Sequence, residues 1–344
     1  MVKRWFLRVL RPALAVGILV YLYKTGQFDL SVLRNVIPRM GLFLVSIAFM
    51  WIGALLAIQR WRILVRAQDL DMSPWTAFKL SFIGFFFGAV LPGTVGGDVV
   101  KAYYVTRGEQ RKTALITPIL LDRLLGLYTL LLVAAGAVLY GSVFSGADGR
   151  PGVWAQPSVK ALGVSICVMF IMSTVVGALF LSRTLRRSRL VNLILQKLPF
   201  SEVVIRVYDS VLAIRRHPAL FLNAFVLSLS AQLLSYVCMY CLALVLDINS
   251  LGIAEYVFVL PLCNLVNAIP LTPGGFGVGE AGFRALFLLF GSARGAELAL
   301  LYHLEFFLLS VGVGGLVYMF SDYLPDKVRE HPTVSNLSAE ADLG

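Results

Sequence analysis

Eight ionisable residues stand in or beside long apolar stretches, and their types and spacing limit the chemistry they can do. Asp98 and Lys101 are three residues apart, and Glu280 and Arg284 are four apart. On a helix either couple is spaced as an i,i+3 or i,i+4 pair. Asp122 and Arg123 adjoin in LLDRLLGL, while His303 and Glu305 lie in LYHLEFFLL. A charge near the centre of a bilayer costs about 2.5–3.5 kcal/mol on insertion scales, so such groups face a bundle interior and pair. Two roles fit. In one, Arg123, Lys101 and Arg284 bind an anionic headgroup, and the carboxylates neutralise them when the site is empty or relay protons. In the other, buried salt bridges fix helix register. Asp122, near the end of its apolar segment, has the further option of reaching the membrane interface. His303 is the one histidine inside such a segment, and packing partner and proton carrier are both open to it. No nucleophile–base pair, metal-ligand spacing or phosphate-binding loop is present, since the Gly-rich stretches lack the GK[ST] ending and a preceding strand. The expectation is a protein without catalytic residues, cofactor or metal.

Two turns precede the outer couples. Pro92-Gly93-Thr94-Val95-Gly96-Gly97 and Pro270-Leu271-Thr272-Pro273-Gly274-Gly275 both read P-x-T-x-G-G, so that Pro92 aligns with Pro270, and Gly277 follows the second. Proline and glycine at such tips free backbone N–H groups to point at a ligand. The half-helix that begins there adds the positive end of its dipole, suited to an anion such as phosphate. The competing reading is a pair of helix-packing kinks, glycine being common in transmembrane helices.

The elements that must position these residues follow from composition. Of 344 residues 58% are hydrophobic and only 14% charged, with a mean hydropathy of +0.82. A soluble domain carries about 45–50% apolar and about 25% charged residues, so a water-soluble enzyme is excluded. Disordered chains and disulfide scaffolds are excluded by 12% aromatic content and four cysteines. Cys167, Cys238, Cys241 and Cys263 all lie in apolar segments. The CxxC spacing of Cys238 and Cys241 there reads as packing rather than as a redox or metal pair. The net charge of +11 does not point to nucleic acid, because the basic residues cluster beside apolar segments, where topology and anionic lipid headgroups account for them.

Six segments are long enough to span a bilayer: about 5–23, 41–59, 120–140, 158–181, 219–246 and 297–320. Trp5–Tyr23 lacks a small-residue cleavage site and reads as the first span rather than a signal peptide. Leu80–Val95 and Tyr256–Phe290 are interrupted by the two turns. Lys3, Arg4, Arg8 and Arg11 put the N-terminus in the cytoplasm by the positive-inside rule. Arg60, Arg62, Arg66 and Lys79 precede the first broken segment, and Lys101, Arg107, Arg111 and Lys112 follow it. Both flanks are therefore cytoplasmic, and the segment reads as a re-entrant hairpin. The second broken stretch must enter from outside. This topology leaves 22 of the 30 basic residues on the cytoplasmic side.

The alignment of Pro92 with Pro270 also carries the centres of segments 41–59 and 120–140 into 219–246 and 297–320. The fold expected is thus an all-α polytopic membrane protein: six transmembrane helices plus two re-entrant broken-helix hairpins in an inverted repeat. One membrane domain covers 1–320, with halves at about 1–140 and 158–320 and a basic cytoplasmic segment at 182–218. An acidic tail without structure is expected at 321–344. Broken helices at corresponding places of an inverted repeat are the sequence pointer to a transporter's midplane site.

The stretches FFFGAVLPGTVGGDVVKAYYV, LLDRLLGL and PLTPGGFGVGEAGF, in that order, resemble the flippase-like family that also forms the membrane part of lysylphosphatidylglycerol synthases. The resemblance covers about 1–325. It implies that Gly96, Gly97, Asp98, Asp122, Arg123, Pro273, Gly274, Gly275 and Glu280 match the family's functional positions. Lys101 stands where the family often has Arg, and Gly279 where an Arg often precedes the Glu. The aminoacyl-transferase domain of the fused members has no counterpart in 321–344.

The function expected is an inner-membrane lipid translocase of a bacterium, with both termini cytoplasmic, moving a phosphate-bearing phospholipid or polyprenyl-phosphate lipid by alternating access. The headgroup would sit between the tips (Pro92, Thr94, Gly96, Gly97; Pro270, Thr272, Pro273, Gly274, Gly275, Gly277). Around it would stand Asp98, Lys101, Asp122, Arg123, Glu280, Arg284, His303 and Glu305. Two alternatives stay open. One is a membrane enzyme for a polyprenyl-phosphate sugar, with Asp98, Asp122 or Glu280 as base. The other is a scaffold for a lipid or envelope biosynthetic enzyme. That enzyme, or a second copy of this chain, is a candidate partner.

Overall fold

A computed structural model describes residues 33–90, 95–107, 109, 111–144, 156–180, 182, 205, 208, 212, 216–267, 277–320 and 329–330. The expected first span, most of 182–218, and the tip residues Pro92, Thr94, Pro270, Thr272, Pro273, Gly274 and Gly275 lie outside these.

The described residues are almost all helical. In chain order they form α1 (Met40–Arg66), α2 (Pro74–Val90), α3 (Val95–Thr106), α4 (Lys112–Phe144), α5 (Pro157–Phe180), α6 (Pro218–Val245), α7 (Ile253–Asn267), α8 (Val278–Leu288) and α9 (Gly295–Phe307). The last runs through a π-helical stretch, Leu308–Val313, into α10 (Gly314–Phe320). Proline opens α2, α5 and α6, where its missing N–H would have had no helical partner. Ser73 Oγ accepts the Thr76 N–H at 3.1 Å and caps α2.

Among the described residues, five helices are long and apolar enough to cross a membrane: α1, α4, α5, α6 and the α9–α10 run. The bundle turns apolar residues outward as well as inward. Val164, Val168, Ile171 and Val175 form an exposed stripe along α5, the spacing of one helix face, and Leu44, Ile52 and Leu55 do the same on α1. Such a surface is stable against lipid and not against water.

The two broken stretches are pairs of short helices. α2 and α3 have 17 and 12 residues, and α7 and α8 have 15 and 11. At about 1.5 Å per residue, each limb falls short of the roughly 30 Å hydrocarbon core. In both, the limbs pack antiparallel. Gly97 meets the Gly84 carbonyl so closely that a Cβ there would overlap the oxygen. In the second hairpin Gly282 meets Val266 and Gly279 meets Asn267.

Contacts repeat between the halves of the chain. With Pro92 set on Pro270, α1, α2, α3 and α4 fall on α6, α7, α8 and α9–α10. α1 and α6 pack antiparallel: Arg39 bonds the Leu244 carbonyl and Asp247 at one end, and Arg60 bonds Ser228 towards the other. Between these, Gly53 faces Ala231, its own equivalent in the repeat. α2 packs on α10 and the π-helical stretch, and its counterpart α7 packs on α4. Gly314 makes the first contact tight, since a Cβ there would lie 2.6 Å from the Phe82 carbonyl oxygen.

Among the described residues, the two largest of four apolar clusters fill most of the interior. One joins α6, α7, α8 and α9 to α4 and α5 around Phe258, Phe283 and Phe287. The other joins α1, α2, α3 and α4 around Trp61 and Phe82, with Trp51, Phe78 and Phe85 in ring contact with Phe82 at 4.4–5.7 Å. Beyond α1, Arg66 Nε bonds Asp71 at 2.9 Å, and this guanidinium holds the Asp71 carboxyl below its usual range. Leu70–Asp71 pairs antiparallel with Arg329–Glu330. This pairing sets Arg329 and Glu330 on the same side of the bundle as the α1–α2 connection.

Gly97→Ala should lower the thermal midpoint in detergent, at a cost of about 1–3 kcal/mol as for overpacked interiors. Gly136→Ala, with nothing within 4 Å of the added methyl, should leave it unchanged or slightly higher. Equal midpoints for the two variants would show that α2–α3 contact is not needed for the fold.

Candidate functional site

The first turn of α3 carries Asp98 at the positive end of the helix dipole. Across from it on α4, Arg123 closes a two-pronged bond: Nε to Oδ2 at 2.6 Å and Nη2 to Oδ1 at 2.9 Å. Such fork-to-fork pairing fixes geometry as well as charge. The neighbouring Asp122 turns to α1, where Arg60 Nε donates to its Oδ1 at 2.6 Å. Arg60 Nη1 reaches on to Ser228 Oγ of α6 at 2.7 Å, and Ser228 lies 2.9 Å from Thr129 of α4. Gly126 makes room for this guanidinium, whose Nη1 would be 3.6 Å from a Cβ at that position.

Lys101, one turn beyond Asp98, has its Nζ 3.5 Å from the centre of the Trp61 ring. These groups border a cavity of about 220 Å³. Ala57, Ile58 and Arg60 of α1, Ser81, Gly84, Phe85 and Gly88 of α2, and Phe306 of α9 complete its wall. Three cations (Arg60, Lys101, Arg123) stand there against two carboxylates (Asp98, Asp122), a surplus of one positive charge.

The other carboxylates form a second centre. Glu280 Oε1 lies 2.9 Å from His303 Nδ1, and His303 Nε2 lies 3.2 Å from Asn267 Oδ1. Glu280 Oε2 accepts the Gly277 N–H at the start of α8, where Gly277 has φ +84°. Only glycine takes that backbone angle without strain. Glu305 accepts bonds from Ser46 Oγ of α1 and, at 3.3 Å, Cys238 Sγ of α6. His303 and Glu305 are 3% and 2% exposed. Both centres tie a short return helix to the long helix after it: Asp98 to Arg123, and Glu280 to His303. They sit at opposite ends of α1, since Ser46 and Arg60 are 14 positions apart, about 21 Å along a helix.

Three expectations are corrected. Asp98 does not pair with Lys101, because the Arg123 fork takes both its oxygens and the lysine stem runs beside Gly84 towards Trp61. Glu280 does not pair with Arg284. The carboxylate turns inward to His303 and the Gly277 N–H, while Arg284 is exposed without an ion pair among the described residues. Asp122 does not reach for the interface; Arg60 holds it within the bundle. Gly279 has a steric reason, as His303 and Asn267 fill the space a side chain would need. Gly97 acts in helix packing, and Gly96 lies beside it in the first turn of α3. The four cysteines are free, and Cys238 and Cys241 are buried on α6. Among the described residues no group of three His, Cys, Asp or Glu gathers to hold a metal ion.

Arg60, Trp61, Ser81 and Ser228 are missed by sequence reasoning. Arg60 belongs to QRWR at a span end, where basic residues look like topology signals. Trp61, Ser81 and Ser228 carry no signal until α2 and α6 are docked.

Replacing Asp122 by Asn leaves Arg60 without a counter-ion inside the bundle, at a cost of about 3 kcal/mol for a broken buried pair. The thermal midpoint should fall in the Asp122→Asn single variant and recover substantially in Arg60→Met/Asp122→Leu. A double variant no more stable than the single would show that the pair acts through something besides charge.

Compared with known families, residues 8–314 match the Lysylphosphatidylglycerol synthase TM region. No curated protein and no solved structure gives a match.

Proposed function

The chain belongs to the lysylphosphatidylglycerol synthase transmembrane-region family, and from that premise we propose that it is a lipid translocase. It moves a phosphate-bearing amphiphile across a bacterial inner membrane by alternating access. The observation that carries this reading is the cavity of about 220 Å³ with its single surplus positive charge. The bundle interior or a water-filled cavity is where intramembrane charges are tolerated, and cations there mark the path of an anionic substrate. The acyl or prenyl tail stays in lipid while the headgroup enters.

The repeat supports movement of one half against the other. Matched elements in the same order, the antiparallel crossing of α1 and α6, and the exchanged contacts of α2 and α7 support the inverted-repeat reading. In this reading α2–α3 is a hairpin entering from the cytoplasm and α7–α8 one entering from outside. The Arg60–Arg123 cavity then belongs to the cytoplasmic half and the Glu280–His303–Glu305 centre to the outer half. Both termini are cytoplasmic. The enzymatic alternative is less well supported, because Asp98 and Asp122 are each engaged by a guanidinium and neither is poised as a base. Movement is passive or ion-coupled.

Two measurements test the proposal. Reconstituted protein should carry a fluorescent phospholipid from the inner to the quenchable outer leaflet. Arg123→Ala should lower the initial rate at least tenfold, and a folded variant flipping at the wild-type rate would refute the role of the cavity. Single cysteines at Thr94 and Thr272, with the native thiols removed and Cys238→Ser keeping a donor for Glu305, should label from opposite sides. Labelling of both from one side would overturn the opposed hairpins.

A further inference from the structure

Inside the cavity the two ion pairs cancel, and Lys101 is what remains. Arg60 is bound to Asp122 and Arg123 to Asp98, each at 2.6 Å. Lys101 has no ion pair among the described residues, although it is only 9% exposed. Its Nζ rests over the Trp61 ring. That contact steadies a cation without neutralising it, so the charge and the remaining N–H donors are left for a ligand. Gly84 makes the placement feasible: a Cβ there would already lie 3.6 Å from Lys101 Cβ and 3.8 Å from its Cδ, so any longer side chain would press on the lysine stem.

Beside it is a second vacant donor. Ser81 is 2% exposed, lines the same cavity, and its Oγ has no hydrogen-bond partner among the described residues. Buried hydroxyls are nearly always bonded, and one that is not calls for a missing partner. Ser81, Gly84, Phe85 and Gly88 follow i, i+3, i+4, i+7 spacing and form the one face of α2 turned to the cavity. A buried cation and a buried hydroxyl, on two limbs of one hairpin, are both without an anionic acceptor.

We propose that Lys101 and Ser81 are the phosphate-reading pair of this cavity, with Trp61 as a positioning residue, and that they select a lipid whose headgroup is a singly charged phosphodiester. The proposal rests on the lipid-translocase reading and narrows its substrate class. A phosphodiester brings one negative charge and balances the surplus of one. A phosphomonoester brings about 1.5–2 charges at neutral pH and leaves negative charge where little water can screen it. A zwitterionic headgroup leaves the surplus uncancelled, and both carboxylates that its ammonium would seek are already held by arginines. The tail distinguishes a lipid from free phosphate, since the cavity has room only for the headgroup.

The test uses full-length protein in zwitterionic vesicles and three tail-labelled probes with the same acyl chains: phosphatidylglycerol, phosphatidic acid and phosphatidylethanolamine. The expected result is phosphatidylglycerol moving at least tenfold faster than either of the others. Lys101→Met, which removes a buried charge and keeps the stem, should erase that preference. Ser81→Ala should slow phosphatidylglycerol several-fold, and Trp61→Phe should keep the preference because a ring remains. Soluble glycerophosphoglycerol at the lipid's concentration should not compete; full competition would make this a site for free phosphate esters and overturn the lipid assignment. Equal rates for all three lipids, still abolished by Arg123→Ala, would overturn the selection while leaving the translocase reading intact. Movement of none of them by wild-type protein would sink the translocase reading and this proposal with it. Wild-type selectivity needs no variant, so a misfolded Lys101→Met protein leaves the question decidable.

Discussion

The crossing of α1 on α6 is the contact around which the rest is arranged. The two helices run antiparallel and meet where Gly53 faces Ala231, residues that correspond in the repeat. Small residues allow helix backbones to approach closely in a membrane, where no hydrophobic force brings helices together. From that crossing each helix runs to both polar centres, one on either side of it. α1 reaches Asp122 with Arg60 and Glu305 with Ser46, and α6 supplies Ser228 to the first and Cys238 to the second. The separation of the two centres follows from helix rise and from where along α1 each residue falls.

The bilayer's poor solvation of charge explains why each centre is built as it is. An unpaired buried charge is costly, so Asp98, Asp122 and Glu280 each find a basic or imidazole partner on another helix. These bonds also hold the broken helices, since limbs shorter than a full span have less packing surface of their own. Asp98–Arg123 ties α3 to α4, and Glu280–His303 ties α8 to α9. The two centres differ in one respect that matters for function. The first contains a buried cation, Lys101, supported by a ring and without an ion pair among the described residues. The second contains a buried carboxylate, Glu305, bonded by the neutral donors Ser46 and Cys238.

Glycines set the spacing of both hairpins. Gly97 against Gly84 and Gly279 against His303 and Asn267 leave no volume for a side chain. The same residues that read in sequence as a ligand-binding turn thus serve close helix packing in the described part of the turn. The two roles are compatible: a hairpin whose limbs touch at backbone distance gives the cavity a firm wall.

Much of this protein was legible in its residues alone, because a bilayer imposes its demands on every helix separately. Apolar length marks α1, α4, α5, α6 and α9–α10, and proline and glycine mark the breaks between α2 and α3 and between α7 and α8. A repeated P-x-T-x-G-G, with the flanking spans in step, pointed to a correspondence of the halves. Partner choice was not legible. Spacing along one helix suggested Asp98 with Lys101 and Glu280 with Arg284, yet both carboxylates bond to a neighbouring helix. A one-dimensional pattern reports which residues share a face, but not which helix that face will meet. Arg60, Trp61 and Ser81 entered the site for the same reason: only the docking of α1, α2, α3 and α4 brings a guanidinium, a ring and a hydroxyl around one lysine. The sequence by itself determined which groups must be taken out of water. The tertiary structure decided which would compensate one another, because that depends on distances across helices, and it left Lys101 as the charge not yet compensated.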